Sequence, residues 1–302
     1  MKKSTKEAVK TSVVIVLVAA AAFAFWIYPL HEAGQIIVRP DNDNQPPVND
    51  WLKGADSFTV TTEDNIVLVG KLAKSASPRG TVILLHGLWK DQASQTEKAD
   101  AFRAVGLNVV TYDQRGYGRS GGKYRSGGYF EAEDLQEVIS QLDLTGRLVR
   151  PLIVFGEDQG GSAALRLSEK EKRIDILTVE EPLVDGRDWQ KRVIARKQLS
   201  APDFMLPLIW WWMKQESGYE ISLEESDISD QFGAILSDSA RAAHTLVIAA
   251  GDSAKVENPY LNELHSFGSE WVMIPSQGDV EFKLAYDLGQ DNWIFVEYTE
   301  KR

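Results

Sequence analysis

The segment that most narrows the folds open to this chain runs from Leu152 to Leu167. An apolar run, Leu152-Ile153-Val154-Phe155, meets Gly156-Glu157-Asp158-Gln159-Gly160-Gly161 and then Ser162-Ala163-Ala164-Leu165-Arg166-Leu167. The order is strand, sharp turn, helix. A strand with no polar alternation has to be covered on both faces, which calls for a parallel sheet between helices. The pattern recurs along the chain. Strands are expected at Phe58–Thr62, Ile66–Leu72, Thr81–Leu85, Asn108–Tyr112, Leu152–Phe155, Asp175–Val179, His244–Ala250 and Trp271–Ile274. Helices are expected at 92–105, 129–142, 161–169, 258–266 and 289–300. The first two strands flank Glu63-Asp64-Asn65 and read as a hairpin. The fold class is α/β, a mostly parallel doubly wound sheet with helices on both faces.

Composition removes several classes of function. The chain has 302 residues and no cysteine, so disulfides, thiolate nucleophiles and cysteine-held metals are excluded. A net charge of −11 argues against a nucleic-acid partner. Nothing in the sequence calls for a cofactor or a resident metal.

The first thirty residues stand apart. Lys2, Lys3, Lys6 and Lys10 form a basic tail over 1–10, and an uncharged stretch follows from Thr11 to Leu30. About twenty apolar residues match the hydrocarbon thickness of a bilayer. The lysines predict an N-terminus in the cytoplasm, and Trp26 and Tyr28 suit the far interface. The expectation is a single-pass anchor over 11–30 in the cytoplasmic (inner) membrane, with the rest of the chain outside the cytoplasm. A cleaved signal peptide is the rival reading, with Ala22-Phe23-Ala24 as its site. Residues 31–56 read as a linker because of Pro40-Asp41-Asn42-Asp43-Asn44-Gln45-Pro46-Pro47. A globular domain is expected over 57–302, with an insertion at about 183–240. That insertion carries Leu206-Pro207-Leu208-Ile209-Trp210-Trp211-Trp212-Met213. It reads either as a helix packed on the core or as a lid that lines an apolar site or touches lipid.

Three motifs, in order, resemble the α/β-hydrolase superfamily. Leu84-Leu85-His86-Gly87-Leu88-Trp89 is similar to its His-Gly turn, Tyr112-Asp113-Gln114-Arg115-Gly116-Tyr117-Gly118-Arg119-Ser120 to its D-x-R-G-x-G-x-S loop, and 156–161 to its nucleophile elbow. The resemblance implies an elbow residue held in strained geometry between small neighbours. It also implies an oxyanion hole from backbone N–H groups at Gly87, Leu88 and Trp89 and at Gln159.

The family's chemistry needs a serine, a histidine and an acid. Here Asp158 stands at the serine position. Asp279, in Ser276-Gln277-Gly278-Asp279, stands where the histidine is expected. Gly251-Asp252-Ser253-Ala254 puts Ala254 at the acid's place, with Asp252 two residues early. His31 lies beside the apolar segment, His86 in the oxyanion turn, His244 at a strand start and His265 in a helix. An aspartate at the elbow also resembles haloalkane dehalogenases and epoxide hydrolases, where the carboxylate forms an ester intermediate. Those enzymes usually have tryptophan after the aspartate and proline soon after His-Gly. This chain has Gln159, and Leu88 with Trp89. If Asp158 and Asp279 meet, they must share a proton, bind a cation with Asp252, or draw in Lys255.

Two readings follow. One is a catalytically degenerate hydrolase fold that binds a small acyl-type ligand or a protein partner. The other is an active hydrolase of ester, thioester, amide, halide or epoxide, using Asp158 as nucleophile or acid/base with His265 or another group assisting.

Overall fold

The computed structural model describes residues 2–23, 28–39, 52–183, 185–198, 201–228, 245–248, 280–287 and 292–300. The central sheet is built from β1 (Asp56–Thr61), β2 (Val67–Ala73), β3 (Thr81–Leu85), β4 (Asn108–Asp113), β5 (Leu152–Glu157), β6 (Ile176–Glu180) and β7 (Thr245–Ile248). Their spatial order is β1-β2-β4-β3-β5-β6-β7. β1 and β2 form an antiparallel hairpin, and β2 also runs antiparallel to β4. The pairs from β4 through β3, β5 and β6 to β7 are parallel.

The unbroken apolar strands are explained by two cores. Ile83, Leu85, Leu152 and Val154 pack under α4 (Tyr129–Leu144) and α5 (Asp158–Ser168). Their sequence neighbours Val82, Leu84, Ile153 and Phe155 point to the other face, against Ala99 and Phe102 of α3 (Thr96–Ala104). Successive side chains alternate between faces, so a strand covered on both sides cannot spare a polar position. Each fully buried Val, Leu, Ile or Phe contributes about 1.5–3 kcal/mol.

The insertion forms a cap. α6 (Gly186–Arg196), α7 (Leu206–Ser217) and α8 (Leu223–Ser226) follow β6 at the end of the sheet where α5 begins. Leu206, Ile209, Trp210 and Met213 of α7 are buried with Trp189 and Val193 of α6 and Leu88. The spacing from 206 through 209 and 210 to 213 is that of one helical face.

The N-terminal segment differs from expectation. α1 runs from Lys2 to Ala22 and α2 from Tyr28 to Val38. Helix is thus described on either side of residues 24–27, which fall within the span expected over 11–30 and lie outside the described residues. Among the described residues no helix is long and apolar enough to cross a membrane. α1 includes Lys2, Lys3, Lys6, Glu7 and Lys10, which the expected anchor left out. The start of the expected linker is helical and packed, because Ala33, Ile37 and Val38 give α2 an apolar face that joins the cap's core. Gly34 lets the two helices approach closely: a Cβ there would lie 2.9 Å from Cβ of Trp212. Gln35 donates to Glu216 at 3.0 Å, and the Arg39 guanidinium pairs with the same carboxylate.

The C-terminal segment also departs from the sequence reading. The helix expected near 289–300 is instead a strand, β9 (Asn292–Glu300), antiparallel to β8 (Val280–Asp287). Trp293, Ile294, Phe295, Val296, Tyr298 and Thr299 are β-branched or aromatic, and such residues favour strands. The helix expected at 258–266 and the strand at Trp271–Ile274 lie outside the described residues.

Candidate active site

Asp158 is the first residue of α5, directly after β5. Its φ is +44°, in the left-handed region. Aspartate tolerates that region better than most residues, yet the conformation still costs on the order of 1–3 kcal/mol. The flanking glycines are required by contact. A Cβ on Gly156 would lie 2.4 Å from the carbonyl oxygen of Gly160, and one on Gly160 would lie 2.7 Å from Cβ of Leu85. The strand and helix therefore meet too closely for any larger residue at 156 or 160.

The Asp158 carboxylate folds over the His86-Gly87 turn. A Cβ on Gly87 would sit 2.5 Å from its Oδ2. Its Oδ1 accepts from Nη1 of Arg192 at 2.9 Å. Arg192 lies on α6 and also bonds the carbonyls of Glu181 and Pro182 and the carboxylate of Asp188. The elbow is thereby tied to the cap through one guanidinium. Burial pushes the Asp158 carboxyl up to about 6, against the pull of Arg192, while neighbouring Glu181 adds to the rise.

The adjoining residues form a charged surround. Glu157 is buried and receives Lys90 at 2.7 Å. Lys98 pairs with Glu157 and lies 3.6 Å from Glu180. Burial opposes the Glu157 charge, but Lys98 and Lys90 outweigh it and hold the group below the usual glutamate range.

His86 is completely buried. Its Nε2 accepts the backbone N–H of Gln114 at 3.0 Å, which leaves Nδ1 as the protonated nitrogen, 3.0 Å from the carbonyl of Gly87. Both ring nitrogens are spent on the backbone, and burial holds the imidazole below its ordinary pKa. The loop after β4 braces this turn. Asp113 accepts from the Gln92 and Arg119 backbone N–H groups, each at 2.9 Å, and Arg115 grips Asp134 with two bonds at 2.7 and 2.6 Å.

Of the expected oxyanion residues, Leu88 and Gln159 are buried. Trp89 has φ +60°, a strained conformation for a bulky residue. Its ring lies 4.5 Å from the guanidinium of Arg196 and 5.7 Å from that of Arg125. Asp252, Lys255, Asp279, His244 and His265 lie outside the described residues, so a meeting of Asp158 with Asp279 is not among the described contacts. Among the described residues no cluster of His, Asp or Glu is arranged to hold a metal. Arg192 was missed by sequence reasoning. The available signal was Arg187, Lys191, Arg192 and Arg196 in the insertion of a chain that carries an acid at the elbow.

The comparisons with known proteins agree with the fold. The profile of a hydrolase family described as "Serine aminopeptidase, S33" matches residues 76–225. An uncharacterized protein of Bacillus subtilis, YqkD, is 25% identical over 188 residues, covering 61% of each chain. A monoacylglycerol lipase of Mycolicibacterium smegmatis is 37% identical over 125 residues, 39% of this chain and 43% of the lipase. The matches thus span 61% and 43% of these two curated relatives. A Pyrococcus furiosus esterase structure superposes with a TM-score of 0.50 at 19% identity, covering 78% of this chain and 98% of the esterase.

Proposed function

This chain belongs to the α/β-hydrolase superfamily, and from that premise we propose that it is a binding member of it. It holds a small acyl-type ligand beneath the cap and does not turn it over. The observation that carries this reading is the Asp158–Arg192 pair at 2.9 Å. The residue at the nucleophile position is committed to the cap, and its carboxylate rests on the turn where a substrate oxygen would lodge. His86 supplies no base, since both its nitrogens are engaged. Leu88, Leu183, Trp189 and Val193 give the cap an apolar inner side suited to an acyl chain. The lipase relative lends the acyl class further support.

A second reading has an observation of its own. Asp158 keeps the strained elbow conformation, φ +44°, and a carboxyl raised to about 6. Both suit a hydrolase using Asp158 as nucleophile or acid/base.

Membrane attachment through the N-terminal segment belongs to the same proposal. Val13, Val14, Ile15, Val16, Leu17 and Val18 of α1 are all exposed. A run of that kind is stable in lipid and costly in water. The lysines before it favour a cytoplasmic N-terminus and a domain beyond the cytoplasmic membrane.

The deciding experiment uses the purified full chain. It is assayed against p-nitrophenyl esters, haloalkanes and epoxides, and for binding of a fluorescent fatty-acyl probe. Probe binding without turnover is expected, and Asp158→Ser should restore no hydrolysis. Turnover that Asp158→Asn abolishes would establish the second reading instead.

A further inference from the structure

The cap has an outer face that its packing does not explain. Phe204, Leu208 and Trp211 are 77%, 42% and 48% exposed. The spacings of four and three residues place them on one stripe of α7 and the turn that leads into it. The opposite face, Leu206, Ile209, Trp210 and Met213, already meets the core's requirement for apolar area. Three large apolar side chains in water are therefore an uncompensated cost in the isolated domain.

Position identifies what covers the stripe. The Trp211 ring touches Trp212 at 4.6 Å between centroids, and Trp212 touches His31 at 4.7 Å. His31 lies in the first turn of α2, the end that leads back toward exposed α1. The stripe therefore adjoins the point at which the domain joins its membrane segment. α2 is held against the cap by Glu216, which accepts from both Gln35 and Arg39. An apolar, aromatic stripe beside that junction suits a lipid surface.

We infer that the Phe204–Leu208–Trp211 stripe is a second membrane contact, which seats the cap on the bilayer that receives α1. This rests on the membrane attachment proposed above and adds an orientation to it. The domain lies cap-down, with the elbow end of the sheet toward lipid.

The chain lacks cysteine, so a single introduced thiol reports one position. The full chain carrying Leu208→Cys is spin-labelled and reconstituted into vesicles of phosphatidylethanolamine with phosphatidylglycerol. Leu144→Cys serves as the reference, since Leu144 is 85% exposed at the far end of the sheet. The label at 208 should be shielded from a water-soluble relaxation agent and open to oxygen, while that at 144 stays in water. A chain that floats with vesicles but carries a label at 208 as wet as that at 144 would overturn the cap contact and leave the attachment intact. A chain that does not float would overturn both. A label at 208 shielded equally in vesicle-free detergent, with a doubled mass, would assign the stripe to a second copy. With Phe204→Ser and Trp211→Ser added, flotation should persist while the label at 208 returns to water.

Discussion

Replacing Asp158 by Asn puts the reading of the site to a quantitative test. The two largest influences on this carboxylate act in opposite directions: burial raises its pKa and Arg192 lowers it, and burial prevails at about 6. An unfolded aspartate titrates near about 3.9. Between those values the native state keeps a proton that the unfolded chain has lost, so wild-type stability falls as pH rises through the window. At about 1.4 kcal/mol per pKa unit the full difference is about 3 kcal/mol. The side chain is still 21% open to solvent. Allowing for that screening leaves about 2–3 kcal/mol. Asparagine does not titrate. The stability of Asp158→Asn relative to wild type should therefore rise by that amount from about pH 4 to about pH 7.5, with most other carboxylates cancelling in the difference. Urea unfolding of both full chains across that range is the assay. A flat difference would mean that the carboxylate is solvated and the elbow open. An opposite slope would mean that the Arg192 pair outweighs burial. The first result would refute the account of a desolvated, cap-bound acid, and the second would refute burial as its dominant influence.

Two further substitutions probe the same architecture. Gly87→Ala, whose Cβ would meet Asp158 Oδ2 at 2.5 Å, should cost about 1–3 kcal/mol. Most of that cost should vanish in an Asp158→Ala background, and strict additivity in thermal unfolding would reject the contact. Arg125→Met removes a buried guanidinium that bonds the carbonyls of Ile36 and Ile37 and the hydroxyl of Tyr117. The loss should be on the order of 2–4 kcal/mol, with faster amide exchange over 28–39 while β3 and β5 stay protected; unchanged exchange in α2 would contradict that role.

The parts of this molecule that could be read from sequence are those governed by neighbours along the chain. The apolar runs of β3, β4 and β5 announce a sheet covered twice, and Gly156 and Gly160 announce the tight turn between them. His86 is legible as a scaffold residue because its partners, Gly87 and the loop after β4, belong to the same motifs. What escaped depends on distant partners. Arg192 looks like one more surface cation on a polar helix until its pairing with Asp158, 34 residues earlier, is seen. α2 sits beside a proline-rich stretch and reads as linker, because the surface that makes it a packed helix is supplied by α7. The element expected as a helix near 289–300 is β9, whose aromatic and β-branched run favours the strand that pairs with β8.

The docking of α2 has a consequence for biogenesis. Gln35 leaves the ribosome 181 residues before Glu216, the side chain that secures it. Throughout that interval Ala33, Ile37 and Val38 have no α7 to cover them, and Arg125 emerges long before the cap is complete. The first helix of the domain to be synthesised is thus among the last to be locked in place. A nascent chain halted before the cap would carry a sticky, unsecured N-terminal helix, so the folding of this domain is finished only when its insertion is complete.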